Sequence, residues 1–308
     1  MTPEGMLACR DPLGIRPLVM GRLGDAIVFA SETVALDIVG ATFEREVEPG
    51  EIVIVTEQGV RSISPLPQSH PRPCIFEHIY FARPDSITNG SSIYSVRKAI
   101  GAELALENPV AADLVIPVPD SGTPAAIGYA QQSGIPFELG IIRSHYVGRT
   151  FIQPTDNIRH LGVKLKHNAN RALIEGKSII LIDDSIVRGT TSLKIVQMMR
   201  DAGAREVHMR IASPPTRHSC FYGVDTPERS KLLAANHDVE GMRTFIQADS
   251  LSFISIDGLY KAVGEAGRDP AKPQYCDACF TGHYPTRLTD QDDVESVDQL
   301  SLLAERVV

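Results

Sequence analysis

Residues 178–192 read SIILIDDSIVRGTTS. An apolar run, Ile179 to Ile182, ends in two adjacent acids, Asp183 and Asp184. A short loop follows, with Arg188, one glycine, Gly189, and the hydroxyl residues Ser185, Thr190, Thr191 and Ser192. Leu193, Ile195, Val196, Met198 and Met199 then recur at the spacing of a helix with one apolar face. Strand, acidic pair, hydroxyl-rich turn and helix together build an anion site. A helix N-terminus presents unpaired N–H groups and a partial positive charge. Gly189 lets the backbone come close to a ligand, and the acids can hold sugar hydroxyls or a hard cation. Asp and Ser at a strand end also serve as plain turn and cap residues, so the reading depends on the rest of the chain.

The chain has 308 residues, 43% hydrophobic and 22% charged. That composition is globular, and the length implies two domains at roughly 100–200 residues each. A net charge of −8 argues against a nucleic-acid partner, so a phosphate site must be made locally from amides, a few basic side chains and a cation. No run is apolar enough to span a membrane and the N-terminus does not read as a signal peptide, so a cytoplasmic location is expected. The five cysteines are Cys9, Cys74, Cys220, Cys276 and Cys279. An odd number without a secretory signal argues against a disulfide framework.

Residues 1–68 read as all-β, with strands expected at Ala26–Ala30 and Glu51–Thr56 and a turn at Pro49-Gly50. Ser62 to Pro73, SISPLPQSHPRP, reads as a linker. A second domain, 69–308, follows. A helix is expected from Ser95 to Leu106 and a buried strand at Leu114–Ile116. That strand runs into a polar loop containing Asp120, Ser121, Gly122 and Thr123, then a helix from Ala125 to Gln132. This is a second strand–loop–helix unit, and two such units in one parallel sheet place two anion sites along its C-terminal edge. Residues 140–170 crowd Arg143, His145, Tyr146, Arg149, Arg159, His160, Lys164, Lys166 and His167 between glycines. Beside two anion sites this suggests a lid over a polyphosphate, although such runs are also common on solvated surfaces. Further strands are expected at Glu206–Ala212 and Ser252–Ser255. Strands alternating with helices of about 12 residues make an α/β domain with a mainly parallel sheet.

The stretch 180–192 resembles the signature of the type I phosphoribosyltransferases, which bind phosphoribosyl pyrophosphate (PRPP). Together with CIFEHIYFARPDS (74–86), VPDSGTPAA (118–126), SHYVGRTFIQP (144–154), SPPTRHSCFYGVD (213–225) and YCDACFTGHYP (275–285), it resembles the amidophosphoribosyltransferase family along nearly the whole chain. Arg10 to Leu18 and Phe29 to Glu32 resemble the second half of a class II glutamine amidotransferase domain, an N-terminal-nucleophile hydrolase.

The resemblance implies the activity. Ammonia, released from glutamine in the complete family enzyme, displaces pyrophosphate from C1 of PRPP to give 5-phosphoribosylamine, the first step of purine synthesis. It implies that Asp183 and Asp184 meet the ribose diol and magnesium, with Ser121 a further magnesium ligand. The loop from Asp120 to Thr123 would cradle pyrophosphate, residues from Arg188 to Ser192 would hold the 5-phosphate, and Ser185 would be a further PRPP-binding residue. Tyr146 and Arg149 would sit on the lid. Cys74, Cys220, Cys276 and Cys279 match the ligands of a [4Fe–4S] cluster in one branch of the family; from the residues alone, zinc and Fe–S are both open. Purine nucleotide inhibitors and a homo-oligomer are also implied. The family's nucleophile, an N-terminal Cys, has no counterpart in this sequence, and Cys9 matches an internal strand. The chain is therefore expected to use free ammonia, or glutamine if a separate chain supplies the rest of the glutaminase domain. A PRPP- or nucleotide-binding module without turnover, and a base-salvage transferase, are the competing expectations.

Overall fold

The computed structural model describes residues 1–66, 69–144 and 167–288. The N-terminal unit holds β1 (Met6–Cys9), β2 (Val19–Leu23), β3 (Ala26–Ala30), α1 (Thr33–Val39), β4 (Thr42–Glu46), β5 (Ile52–Thr56) and β6 (Gly59–Ile63). They form two antiparallel three-stranded sheets, β1-β5-β6 and β3-β2-β4. The all-β expectation needs correction at α1. This helix is only seven residues long, too short for periodicity to announce it, but Val34 and Leu36 are buried. Gly40, at φ +75°, closes it in the left-handed conformation, where its N–H meets Leu36 and Asp37 carbonyls.

The expected linker is not free. Ser62 and Ile63 belong to β6. Further on, Arg72 N donates to Leu13 O at 2.7 Å and Cys74 N to Ile15 O at 2.9 Å, which ties the entry of the second unit to the first. Residues 67 and 68, where the expected division falls, lie outside the description.

The second unit begins with a π-helical turn, Glu77–Phe81, and a small hairpin, β7 (Ile87–Thr88) and β8 (Ser91–Ser92). It continues through α2 (Ile93–Glu107), β9 (Leu114–Pro117), α3 (Thr123–Ser133), β10 (Ile141–Arg143), β11 (His167–Ala169), β12 (Ser178–Asp183), α4 (Thr190–Asp201), β13 (Glu206–Ile211), α5 (Val239–Ile246), β14 (Ser250–Phe253) and α6 (Ile256–Ala262). The central sheet is parallel, in the order β14-β13-β12-β9. A bridge from Val115 to Phe137 adds a further parallel segment beyond β9.

Both faces of this sheet are covered, and the strand alternation shows it. Val115, Ile180 and Ile182 join Ile100, Leu104, Ala126, Tyr129 and Leu259 of α2, α3 and α6 in one core. Ile116, Ile179 and Leu181 join Ile195, Val196, Met199, Met242 and Ile246 of α4 and α5 in the other. Every residue of β12 is buried, as a parallel strand with two covered faces requires. Helices α2 and α3 approach closely: a Cβ at Gly101 would lie 1.9 Å from Ala125 O, and one at Gly128 1.9 Å from Lys98 O. The last strand is displaced from its expected place, because Ser255 caps α6, its hydroxyl accepting from Gly258 N at 2.8 Å.

Candidate functional site

After β9 the chain crosses through α3 to the Phe137 segment on one side; after β12 it crosses through α4 to β13 on the other. The strand order therefore reverses between β9 and β12, and the loops leaving their C-terminal ends diverge around a crevice. Open α/β sheets bind ligands at such a point.

The 118–122 loop lies directly against β12. Val118 N donates to Ile182 O at 2.8 Å and Gly122 N to Val118 O at 3.0 Å. A Cβ on Gly122 would sit 2.3 Å from Ile182 O, so only glycine allows this approach. The contact brings Ser121 near the acidic pair, where its hydroxyl favours the charged form of Asp184. Ser185 Oγ donates to Asp184 Oδ1 at 2.5 Å, and Asp184 N donates to Asp183 Oδ1 at 3.0 Å. Both acids are over nine-tenths buried.

Burial, then the neighbouring Asp184 charge, holds the Asp183 carboxyl well above the usual range. Burial also raises Asp184, opposed by the Ser121 and Ser185 hydroxyls and the charge of Arg97. Two buried carboxyls that repel each other, beside a hydroxyl, form a hard-oxygen donor set short of positive charge. A divalent cation such as magnesium fits this set. Arg97 was not anticipated as a site residue. It sits buried on α2 and donates to the carbonyls of His78, Glu77 and Ala82. An arginine among the apolar positions Val96, Ile100 and Leu104 was the available signal.

Gly189 starts α4 at φ +74°, and a Cβ there would meet Leu233 Cδ2 at 2.6 Å and Phe245 Cε1 at 3.0 Å. The first helical bond runs from Leu193 N to Gly189 O at 2.9 Å, which leaves the amides of Thr190, Thr191 and Ser192 without intrahelical acceptors. Arg188, Thr190 and Thr191 are exposed there, and Ser192 is buried. Asp120 is exposed and ion-paired with Arg143 of β10. Of the expected site residues, the structure thus joins Asp183, Asp184 and Ser185 by hydrogen bonds, brings Ser121 near Asp184 and sets residues 188–192 at the helix start. The lid candidates Tyr146 and Arg149 lie outside the described residues.

The four cysteines expected to act together share one mostly apolar cavity. Cys74, Cys220, Cys276 and Cys279 line it with Ile15, Phe76, Val187 and Thr216 among others. A parallel bridge joins Cys74 to Cys276, Ile75 N donating to Cys276 O at 3.2 Å and Cys276 N to Pro73 O at 2.9 Å. Arg217 N and His218 N both donate to Cys279 O at 3.0 Å. Burial pushes the Cys74 thiol up to about 12 and Cys276 up to about 11, and raises Cys279. Such thiols resist ionising unless a bound metal supplies positive charge. Among the described residues no group of three or more His, Cys, Asp or Glu converges closely enough to hold a single ion. Thr216 Oγ1 is buried without a hydrogen-bond partner among the described residues, and Tyr222 N donates to Cys220 Sγ at 3.3 Å. Four thiols around an apolar cavity with donors in its wall fit a thiolate-bound metal group. Cys9, on β1, is exposed and apart from them.

Among the described residues no helix is long and apolar enough to cross a membrane. Residues 85–219 match the family model of the phosphoribosyl transferase domain. The chain is 60% identical to the amidophosphoribosyltransferase of Rhizobium etli over 99% of its own length and 62% of that protein's. It is 52% identical to the amidophosphoribosyltransferase of Bacillus subtilis, over 94% of this chain and 60% of that one. It is also similar to the B. subtilis glutamine PRPP amidotransferase solved with ADP and GMP, with a TM-score of 0.85 and 52% identity, covering 93% of this chain and 63% of that one. The chain thus spans about three fifths of these relatives.

Proposed function

We propose that this chain, homologous along nearly its whole length to the amidophosphoribosyltransferases, is the phosphoribosyl-transferring part of such an enzyme, preceded by closing strands of its glutaminase domain. The reaction is attack of ammonia on C1 of PRPP. The N–C1 bond forms, the C1–O bond to pyrophosphate breaks, and a proton leaves the new ammonium for solvent, giving 5-phosphoribosylamine for purine synthesis. One observation carries the reading. At the reversal between β9 and β12, a buried acid pair lies near Ser121 of one loop and is followed by the free helix-start amides of α4.

The residues divide the work. Amides and hydroxyls from Arg188 to Ser192 hold the 5-phosphate at the positive end of α4. Asp183 and Asp184 hold the ribose diol, and with Ser121 they hold magnesium, which when bound supplies positive charge to the departing pyrophosphate. The loop from Asp120 to Thr123 holds that pyrophosphate through its backbone. Tyr146 and Arg149 close over the site and exclude water, which competes with ammonia for C1. No side-chain nucleophile is required.

Cys74, Cys220, Cys276 and Cys279 hold a [4Fe–4S] cluster, which supplies a cross-link between the 72–76 strap, the 213–225 loop and the C-terminal turn. Purine nucleotides regulate the enzyme; the relative solved with ADP and GMP supports this. Use of glutamine requires the rest of the glutaminase domain, in one chain or in a partner, and the enzyme works as a homo-oligomer.

The test is pyrophosphate release from PRPP with magnesium and ammonium at high pH, using anaerobically prepared protein. Release that depends on ammonium supports the proposal. PRPP binding without release identifies a binding module instead, and nucleotide formation from a free base identifies a salvage enzyme. Iron and sulfide analysis of the same sample decides between a cluster and zinc.

A further inference from the structure

Four hydroxyl residues line the cysteine cavity: Thr216, Tyr222, Thr226 and Tyr284. Three of them are engaged. Thr226 Oγ1 accepts from Cys220 N at 2.6 Å, Tyr284 Oη donates to Ser219 O at 2.7 Å, and Tyr222 Oη pairs with Thr286 Oγ1 at 2.8 Å. Thr216 differs. It is 3% exposed, and its Oγ1 has no hydrogen-bond partner among the described residues. A buried hydroxyl left unpaired is costly, and native structures rarely retain one.

The position of Thr216 is set by the cysteine turn itself. The two residues that follow it, Arg217 and His218, both donate their amides to Cys279 O at 3.0 Å. The hydroxyl is thereby held in the wall shared by all four thiols. The surroundings are rich in donors and positive charge. Tyr222 N already donates to Cys220 Sγ. Arg72 Nε and Nη2 are buried without hydrogen-bond partners among the described residues, and the Arg72 charge acts on Cys276 as the Arg16 charge does on Cys74. A wall of this kind matches an occupant that carries negative charge and accepts hydrogen bonds.

We infer that Thr216 Oγ–H donates a hydrogen bond to a sulfur of the group bound by Cys74, Cys220, Cys276 and Cys279, and so helps to retain it. Thr216 is a positioning residue for that group and takes no part at C1 of PRPP. The inference rests on the cluster assignment above, and the experiment separates the two.

The full chain is prepared anaerobically as wild type, Thr216→Val and Thr216→Ser. Iron and sulfide content is measured first. Then the Fe–S stretching bands are recorded, and the rate of iron transfer to a chelator is followed. Valine removes the donor and serine restores it. Thr216→Val is expected to lose iron about 3- to 10-fold faster, the range for one lost hydrogen bond, with shifted Fe–S bands. Thr216→Ser is expected to stay near wild type in both. If valine prevents folding, Thr216→Ala gives the same comparison. A fully loaded Thr216→Val protein with wild-type bands and rate overturns the inference and leaves the cluster intact. Wild-type protein without iron and sulfide overturns the cluster assignment and the inference with it.

Discussion

At Asp183 and Asp184 two carboxylates share one buried place beside Ser121. Their raised pKa values have a thermodynamic consequence. A carboxyl whose folded pKa lies above its unfolded value contributes stability below the unfolded value, and that contribution is lost as pH rises through the folded value. Metal-free protein should therefore lose stability as pH rises from the ordinary carboxylate range, and magnesium should bind more tightly over the same rise. Asp183→Asn removes the repulsion, so denaturant midpoints measured without metal should flatten with pH. Ammonium-dependent pyrophosphate release should fall at least ~100-fold in the same variant. Retained release would remove Asp183 from the site.

Glu77 and His78 form a second pair of buried neighbours, with opposite trends. Burial raises Glu77 to about 7 from an ordinary 4.5, although Arg16 Nη1 lies 2.9 Å from its Oε1. Burial lowers His78 to about 4 from 6.5. Between pH 4.5 and 7 the folded state binds the Glu77 proton more strongly, so stability falls as pH rises. Between pH 4 and 6.5 the unfolded state binds the His78 proton more strongly, so stability rises. Each contribution is of order 3 kcal/mol, and in the wild type they largely cancel. His78→Gln should expose the falling slope and Glu77→Gln the rising one. Urea unfolding across pH 4.5 to 7 checks the sign, and equal slopes in both variants would refute the assignment.

Elements show why the site holds its shape. The 184–189 loop is pinned from two sides: Ile186 packs with Leu233 in the core under α4 and α5, while Val187 lines the cysteine cavity. Leu233 N also donates to Val187 O at 2.8 Å. Val187→Ala should raise the KM for PRPP several-fold with iron content unchanged, and Val187→Ile should restore it. Gly101 and Gly128 set the separation of α2 and α3. Gly101→Ala drives a methyl into the Ala125 backbone, which cannot step aside as a flexible side chain could. We expect a loss of ~2–4 kcal/mol in denaturant unfolding, against near-neutral alanine substitution at the exposed Gln131 of α3.

Across the whole molecule the two units are joined by side chains of the first that grip the backbone of the second. Glu32 accepts from Arg83 N and Ser86 Oγ, both at 2.7 Å, and Thr33 Oγ1 accepts from Ile87 N at 2.9 Å. Glu46 accepts from Asn89 N at 2.7 Å. The cysteine cavity adds a second junction, since Ile15 of the first unit lines it. Iron removal should therefore lower the unfolding temperature and open the segment from residue 264 to 288 to protease. An unchanged cleavage pattern would argue against a cross-linking role.

The parallel sheet and the two loop-bearing strands were legible in the sequence. A strand buried on both faces must be a short apolar run, and a phosphate-binding turn must carry glycine and hydroxyls at its helix start; both are local demands that Ile179 to Ser192 meets in order. The α1 helix was not legible, because seven residues give two turns at most and its stability comes from Leu36 against the sheet. Arg97, Val187 and Thr216 were not legible as site residues either. Each is an ordinary residue singled out by what the fold brings near it: the Asp184 charge for Arg97, and four cysteines from three separate stretches for Val187 and Thr216. Which side chains meet across the gap between β9 and β12 depends on the crossover directions and on Gly122 allowing backbone to touch backbone. Those are long-range packing choices that only the tertiary structure makes.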